Sequence, residues 1–243
     1  NDRKSLSLPG EQDALIKKIL AANQNTVLVI NTGSPISMPW IKSCPAILQT
    51  WFPGQEFGNA LAEILFGKES PSGKLPTTYP KKLSDTPAYS CYPGKDLQMD
   101  YKEKLLIGYK WYDKKDINPL FSFGHGLSYS KFKLKKVSLL KKKNKIEVKV
   151  KLKNIGNFST FETVQCYLER KKIKADTPKK KLVDFKKLKL KKNNSKKLTL
   201  KVCRRDLSEW NEKKSMWEIA KGDYVIHVGT SVSDISITED IKI

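Results

Sequence analysis

Apolar and polar residues alternate along the second half of the chain. Six segments place an apolar side chain at every second position, and turn signals separate them. Lys occupies most of the polar positions, and the only helical signal is a short turn at 205–211. Such alternation is typical of antiparallel strands with one buried and one solvated face. It predicts a β-sandwich of six or seven strands over 129–243, with strands in 131–140, 145–156, 162–169, 182–192, 197–202 and 222–231.

Residues 1–90 follow a different pattern. Apolar residues recur at helical spacing in two segments, and two short runs lie between them. The first run, TVLVI, is apolar and β-branched throughout, which is typical of a parallel strand buried on both faces. The pattern predicts an α/β unit in the order helix, strand, strand, helix: 11–23, 26–30, 46–52 and 57–67.

Two loops of this α/β unit follow its strands, at 31–39 and 53–56. In an open α/β sheet, loops at the carboxyl ends of the strands face the ligand crevice. Two strands and two helices are too few to build such a sheet with both faces covered. We therefore expect 1–90 to be the C-terminal part of a larger α/β sandwich. The chain also lacks an initiator Met and a signal peptide, so we expect a piece of a longer protein.

An irregular segment, 91–128, connects the two halves. It leads into PLFSFGHGLSY, where closely spaced Gly and aromatic residues predict a fixed, buried loop. The fold class expected for the whole chain is α/β plus all-β: a truncated α/β sandwich, with a partial sheet and helices, followed by an antiparallel β-sandwich.

The charge is concentrated in the second half. The chain carries 47 basic and 25 acidic residues, and residues 131–243 hold 32 and 13 of them. A basic face can bind polyanions, but only three of these residues are Arg, and no aromatic residues interleave with the Lys runs. Specific nucleic-acid readout relies on Arg and on stacking aromatics. We expect solvated strand faces and no nucleic-acid partner. The apolar runs are also too short to span a membrane.

Candidate catalytic residues are few. The sequence contains no G-x-S-x-G, no phosphate-binding loop and no H-E-x-x-H. Glu56 follows a strand end, but a first-turn Glu is also favoured by the helix dipole. His125 lies between two glycines and His227 lies within a strand, and for both we favour a structural role. No acid/base pair emerges from these residues alone.

The cysteines do not indicate a metal site. Cys44, Cys91, Cys166 and Cys203 are separated by 47, 75 and 37 residues, whereas zinc sites pair ligands two to four residues apart. We expect buried free thiols. Neither a metal nor an organic cofactor is implied.

An ordered series of motifs resembles a known family. The sequence reads LSLPGEQDALI, NTVLVINTGSPISMPW, ILQTWFPGQEFGNALAEILFGKESPSGKLPTTYPKKL, LIGYKWYD and PLFSFGHGLSY. In this order the motifs are similar to the C-terminal half of glycoside hydrolase family 3, best to its β-glucosidase branch. Residues 129–243 resemble the fibronectin type III-like domain of that family. The resemblance covers essentially the whole chain, with departures in the connector such as Lys104 for Gly and Lys110 for Arg.

The resemblance implies where the chemistry lies. Enzymes of this family cleave β-glycosides with retention, using a nucleophile Asp on an N-terminal barrel and an acid/base Glu. In the matching branch that Glu begins a loop motif, E-G-x-D-R-x-x-L-x-L-P-G. Asp2 and Arg3 match the D-R of this motif, followed by Leu6, Leu8, Pro9 and Gly10. The Glu falls two residues before Asn1, so both catalytic carboxylates are expected upstream, and Asp2 and Arg3 are expected to position the active-site loop.

The implied function is that of the C-terminal part of a retaining β-glucosidase. Its substrates would be β-glucosides or oligosaccharides, and this piece alone would be inactive. Two alternatives stay open: a β-xylosidase or other exo-glycosidase of the same family, and a stand-alone carbohydrate- or polyanion-binding module. The sequence leaves both a secreted and a cytoplasmic location open, and it does not address the oligomeric state.

Overall fold

The computed structural model describes residues 4–96, 98–173 and 175–243. Its first part contains a parallel pair of strands whose register runs from Val27↔Ala46 to Ile30↔Gln49. The predicted order of helix, strand, strand, helix is confirmed, although the second strand ends at Gln49 because Trp51 adopts a positive φ of 55°. The elements are α1 (Gln12–Ala22), β1 (Val27–Ile30), β2 (Ala46–Gln49) and α2 (Phe57–Leu65).

A small apolar cluster holds this part together. It forms where α1, β1 and the following loop meet, and it extends to Tyr79, which follows α2 in the chain. Trp40 is buried in it, and its Nε1 donates a hydrogen bond to Asp13 Oδ1 of α1 at 2.7 Å. This bond satisfies the one polar atom of the indole, as burial of a Trp requires. The buried members are Leu20, Ile30, Ile36, Met38, Trp40 and Tyr79.

The connector, 91–128, has little regular structure, and its C-terminal end is hydrogen-bonded to the segment that follows α2. Leu75 N donates to His125 O, and Tyr79 N donates to Phe121 O, both at 2.8 Å. These bonds fix the Gly-rich loop predicted at 119–129. A short helix, α3 (Tyr109–Lys114), follows Gly108. In none of the described residues does a helix combine the length and apolarity needed to cross a membrane.

The second part is a sandwich of two antiparallel sheets and a small hairpin. The strands are β3 (Phe132–Lys142), β4 (Lys145–Asn154), β5 (Thr160–Arg170), β6 (Lys180–Leu190), β7 (Ser195–Cys203), β8 (Ser208–Asn211), β9 (Met216–Ile219), β10 (Asp223–Gly229) and β11 (Ile235–Lys242). One sheet has the order β11-β10-β5-β6, the other has the order β3-β4-β7, and β8 pairs with β9. The short helical turn predicted at 205–211 is present as a 3-10 helix at Arg204–Leu207, and the rest of that segment forms β8.

The core of the sandwich lies between these two sheets. Alternate residues of β4 and β7 face residues of β5, β10 and β11, as the period of two requires. Val148, Val150 and Leu152 of β4 have no exposed surface. Burial of each such side chain contributes about 1.5–3 kcal/mol, so this core is the main source of stability in the second part.

The outer face of the β3-β4-β7 sheet places like charges directly opposite one another. Lys135 pairs with Lys151, and Lys151 pairs with Lys197. All three side chains are exposed. Like charges directly opposite across strands destabilise a sheet, so this row of Lys opposes folding.

Replacing the central residue of this row should stabilise the protein. In Lys151→Glu, two repulsive cross-strand pairs become attractive, and we expect the free energy of unfolding to rise by about 0.5–1 kcal/mol at low salt. Urea unfolding measures it. Lys213→Glu, an exposed turn residue, controls for the change in net charge. A Lys151→Glu protein that is no more stable than this control would contradict the prediction. Because salt screens charges, added salt should reduce the gain in free energy of unfolding that Lys151→Glu produces.

Candidate active-site edge

The carboxyl ends of β1 and β2 lie side by side because the two strands are parallel. Side-chain and backbone bonds tie the loops that follow them. Thr50 donates from both its N–H and its Oγ1 to Ile30 O, each at 2.9 Å. Gln49 Nε2 donates to Thr32 O at 3.0 Å. The loops at 31–39 and 50–56 therefore form one edge of the sheet; the second loop begins earlier than the predicted 53–56 because β2 ends at Gln49.

Two consecutive aromatic residues on this edge point in opposite directions. Trp51 turns inward, where its ring meets the edge of Tyr79 at 6.4 Å between centroids. Phe52 is 80% exposed. Its ring lies on Gly33, where an added Cβ would come within 2.5 Å of the ring atom Cε2. Gly33 thus lets the ring lie on the loop, and the edge carries an exposed aromatic side chain.

The N-terminal segment reaches the same edge. Ser37 N donates to Leu6 O at 2.8 Å, and Leu8 packs against the apolar cluster of the first part. These residues follow directly on Asp2 and Arg3, the predicted positioning residues. Asp2 and Arg3 themselves lie outside the described residues.

Glu56 is the one carboxylate in the two loops of the edge. It occupies the N-cap position of α2, is exposed, and its Oε2 accepts a hydrogen bond from Asn59 Nδ2 at 2.7 Å. A retaining glycosidase needs two carboxylates about 5 Å apart. Loops 31–39 and 50–56 hold only this one, so the edge does not contain such a pair.

The two histidines are each held by structural contacts. The His125 ring stacks on Phe121 with 5.1 Å between centroids, and burial, with a smaller contribution from the Lys74 cation, lowers its pKa. His227 Nε2 lies 2.8 Å from Glu169 Oε2 in the sheet. These partners are typical of histidines that support a fold.

The cysteines are all free, as predicted, but they are not all buried. Cys166 is buried, and desolvation raises the pKa of its thiol to about 12. Cys203 is exposed, and Cys44 and Cys91 are half-buried, which corrects the expectation of buried thiols. Cys203 follows Lys201 and Val202 on β7, and the period of two turns it outward. Across 4–96, 98–173 and 175–243, no cluster of His, Cys, Asp and Glu could hold a metal ion.

A buried ion pair joins the first part to the sandwich. Lys74 Nζ lies 2.8 Å from Glu162 Oε1, and the two side chains are 14% and 10% exposed. The same ammonium donates to Gly126 O at 2.8 Å. Sequence reasoning missed this contact because Lys74 and Glu162 are far apart in the chain, and neither belongs to a local motif.

A buried amide makes a second tie at this junction. Gln165 Nε2 donates to Gly124 O at 3.5 Å across the junction and to Thr230 O at 2.7 Å within the sandwich. Tyr167 donates its hydroxyl to Gln165 Oε1. The side chain lies against Gly124, where an added Cβ would be 2.5 Å from Oε1. Gly124 has a φ of +81°, so both its conformation and its surroundings favour glycine.

Two family models match the chain. The glycosyl hydrolase family 3 C-terminal domain matches residues 1–129, and the fibronectin type III-like domain matches 162–232. The two matches fall on the part that contains the edge and on the sandwich.

Curated relatives match along the whole chain. Thermostable β-glucosidase B of Acetivibrio thermocellus is 39% identical over 100% of this chain and 33% of its own length. A β-glucosidase of Bacteroides ovatus is 38% identical over 96% of this chain and 32% of its own. The chain thus spans about a third of the length of these relatives.

Solved structures share the fold. The β-glucosidase of Kluyveromyces marxianus in complex with glucose superposes with a TM-score of 0.95 at 35% identity, covering 99% of this chain and 29% of that one.

Proposed function

Because the chain belongs to glycosyl hydrolase family 3, we propose that it is the C-terminal part of a retaining β-glucosidase. The enzyme would hydrolyse terminal non-reducing β-D-glucosyl residues of glucosides and oligosaccharides. The observation that carries this proposal is the similarity of the chain, over its whole length, to β-glucosidases at 38–39% identity. The glucose bound by the Kluyveromyces marxianus enzyme supports the same sugar class.

We propose that the chain divides into three parts with separate roles. Residues 1–90 contribute the α/β sandwich that carries the edge, 91–128 connect, and 129–243 form the fibronectin type III-like domain. The ion pair of Lys74 with Glu162 supports a fixed junction between the first and last of these. The fibronectin type III-like domain then supports the edge and limits its movement.

The chemistry would come from two carboxylates upstream of Asn1. One attacks the anomeric carbon and forms a glycosyl-enzyme intermediate, and the other first protonates the leaving oxygen and then activates water. The contribution of this chain is to hold the acid/base loop. The bond from Ser37 N to Leu6 O and the packing of Leu8 anchor the segment that follows Asp2 and Arg3, and thereby limit the movement of the loop.

The stereochemistry of the first product tests the proposed function. A protein that also contains the sequence upstream of Asn1, called the extended protein below, should release glucose from 4-nitrophenyl β-D-glucoside. Proton NMR should show the β-anomer of glucose first, because double displacement retains configuration. The matching β-xyloside should react more slowly. Release of the α-anomer first, or preference for the xyloside, would overturn the assignment.

Arg3 should matter for turnover in the extended protein. An Arg beside the acid/base loop can pin it through a charge-assisted hydrogen bond, and misplacement of the acid by about 1 Å lowers the rate by about one to two orders of magnitude. We therefore expect Arg3→Ala to lower kcat by that factor while KM changes little. Asp2 would support the loop in the same way.

The control for Arg3 is its neighbour. Lys4 is exposed, and Lys4→Ala removes the same charge one residue further on, so it should leave kcat unchanged. Equal kcat in Arg3→Ala and Lys4→Ala would show that Arg3 is an ordinary solvated charge.

A further inference from the structure

The two sheets of the sandwich differ sharply in charge. Strands β3, β4 and β7 together hold twelve Lys and a single carboxylate, Glu147. Strands β5, β6, β10 and β11 hold seven Lys or Arg and six carboxylates, which nearly balance. The positive charge is therefore segregated to one sheet, and a generally high Lys content does not explain this segregation.

Six of these Lys form a continuous patch on the outer side of the β3-β4-β7 sheet, which we call the lysine face. Strand pairing places them in three successive rows across the sheet. Neighbouring strands lie about 4.8 Å apart and alternate residues of one strand about 6.7 Å apart, so the face measures roughly 10 Å by 13 Å. Its members are Lys133, Lys135, Lys149, Lys151, Lys153 and Lys197.

The lysine face has no internal counter-charge. Among the described residues, none of its six ammonium groups forms an ion pair with a carboxylate. Lys at the margins of the sheet do find such partners: Lys136 pairs with Glu239 of β11 at 2.6 Å, and Lys142 pairs with Glu147 at 2.9 Å. Five of the six side chains are exposed, and that of Lys149 is half-buried. The face is thus accessible and uncompensated.

This arrangement lowers the stability of the sandwich. Like charges directly opposite one another destabilise a sheet, and the dimensions of the face are comparable to the screening length of about 8 Å at physiological ionic strength. Natural proteins give up stability at sites that function requires. A polyanion would remove the repulsion by neutralising several ammonium groups at once, so the lysine face is suited to bind one.

The composition of the three rows favours a sugar polymer over other polyanions. The rows contain only Lys, Ser and Thr. Ser195 lies opposite Lys153, and Thr199 lies opposite Lys149, so hydroxyls that can bond to sugar hydroxyls stand beside the ammonium groups. Readout of nucleic acids relies on Arg and stacking aromatics, and insertion into a membrane interface relies on apolar and aromatic side chains. The three rows contain none of these.

We propose that the lysine face binds an acidic polysaccharide that carries a carboxylate on most of its sugars. Carboxylates of successive sugars pair with ammonium groups of successive rows, and Ser195 and Thr199 bond to the sugar hydroxyls. The binding holds the protein on a polymeric glycan through its second part, and it does not involve the edge after β1 and β2. This proposal does not depend on the proposed glycosidase activity.

Isothermal titration calorimetry of the full 243-residue chain with polygalacturonate tests the proposal, and neutral dextran is the uncharged comparison. We expect saturable binding to polygalacturonate that weakens as salt is added, because salt screens exposed charges, and no binding to dextran. Equal binding to dextran, or no binding to polygalacturonate at low salt, would overturn the proposal. Tighter binding to phosphatidylserine vesicles or to a DNA duplex, at equal concentration of anionic groups, would overturn the choice of a polysaccharide.

Variants of the central row separate the lysine face from the net charge of the chain. The double variant Lys151→Gln, Lys197→Gln should bind polygalacturonate at least about tenfold more weakly. It removes like-charge pairs, so it should be no less stable to urea than the parent, and the loss cannot then come from unfolding. The control, Lys68→Gln with Lys213→Gln, removes the same charge at exposed positions away from the face and should retain the parent affinity. Equal losses in the two double variants would refute the site.

Discussion

The 243-residue chain on its own is expected to release no 4-nitrophenol from 4-nitrophenyl β-D-glucoside above the buffer rate. Hydrolysis with retention requires a nucleophile and an acid/base, and the motif alignment puts both upstream of Asn1. The edge formed after β1 and β2 offers Glu56 alone, bonded to Asn59. One carboxylate cannot both form the glycosyl-enzyme and protonate the leaving group.

The experiment compares this chain with the protein extended upstream, at equal concentration and in the same buffer. The extended protein should turn the substrate over, and the isolated chain should not. Turnover proportional to the concentration of the purified chain would contradict the motif alignment. Glu56→Gln would then show whether Glu56 is the acting carboxylate.

Asn154→Ala should destabilise the sandwich by about 3–5 kcal/mol. Asn154 ends β4 with no exposed surface. Its Nδ2 donates to Phe158 O at 2.8 Å and to Leu190 O at 3.1 Å, and its Oδ1 accepts from Ser130 Oγ at 2.6 Å. The Ala variant removes the partners of these groups, of which the bond to Leu190 O is fully buried, and a buried polar group without a partner costs about 1–3 kcal/mol. A domain is stable by only about 5–15 kcal/mol.

Urea unfolding followed by the fluorescence of the sandwich tryptophans measures this loss. Asn157, three residues further on in the same turn, is exposed, so Asn157→Ala should change the free energy of unfolding by less than about 0.5 kcal/mol. A similar small change in Asn154→Ala would mean that the groups around it find water or other partners.

The strands of the sandwich could be predicted because their signal is local. Alternation with a period of two follows from strand geometry itself, and β3, β4, β5, β6, β7 and β10 overlap the six predicted segments. The hairpin of β8 and β9 was missed because its strands are four residues long. β11 was missed because Glu239 and Asp240 interrupt its apolar positions.

The candidate site also has features that the sequence predicts and features that only the structure shows. The loops after β1 and β2 could be predicted to share an edge because a continuous apolar strand indicates a parallel sheet. The inward turn of Trp51 and the exposure of Phe52 could not be predicted. They depend on the positive φ of Trp51 and on the close approach of the Phe52 ring to Gly33.

The sequence by itself determined the family, the strand-rich second half and the absence of a paired set of carboxylates in the two edge loops, because motif order and side-chain period are properties of neighbouring residues. Only the tertiary structure decided the contacts between distant residues. The bond of Lys74 to Glu162 and the row formed by Lys135, Lys151 and Lys197 are such contacts. They form because folding brings separate segments within hydrogen-bond reach, and no local pattern records which segments will meet.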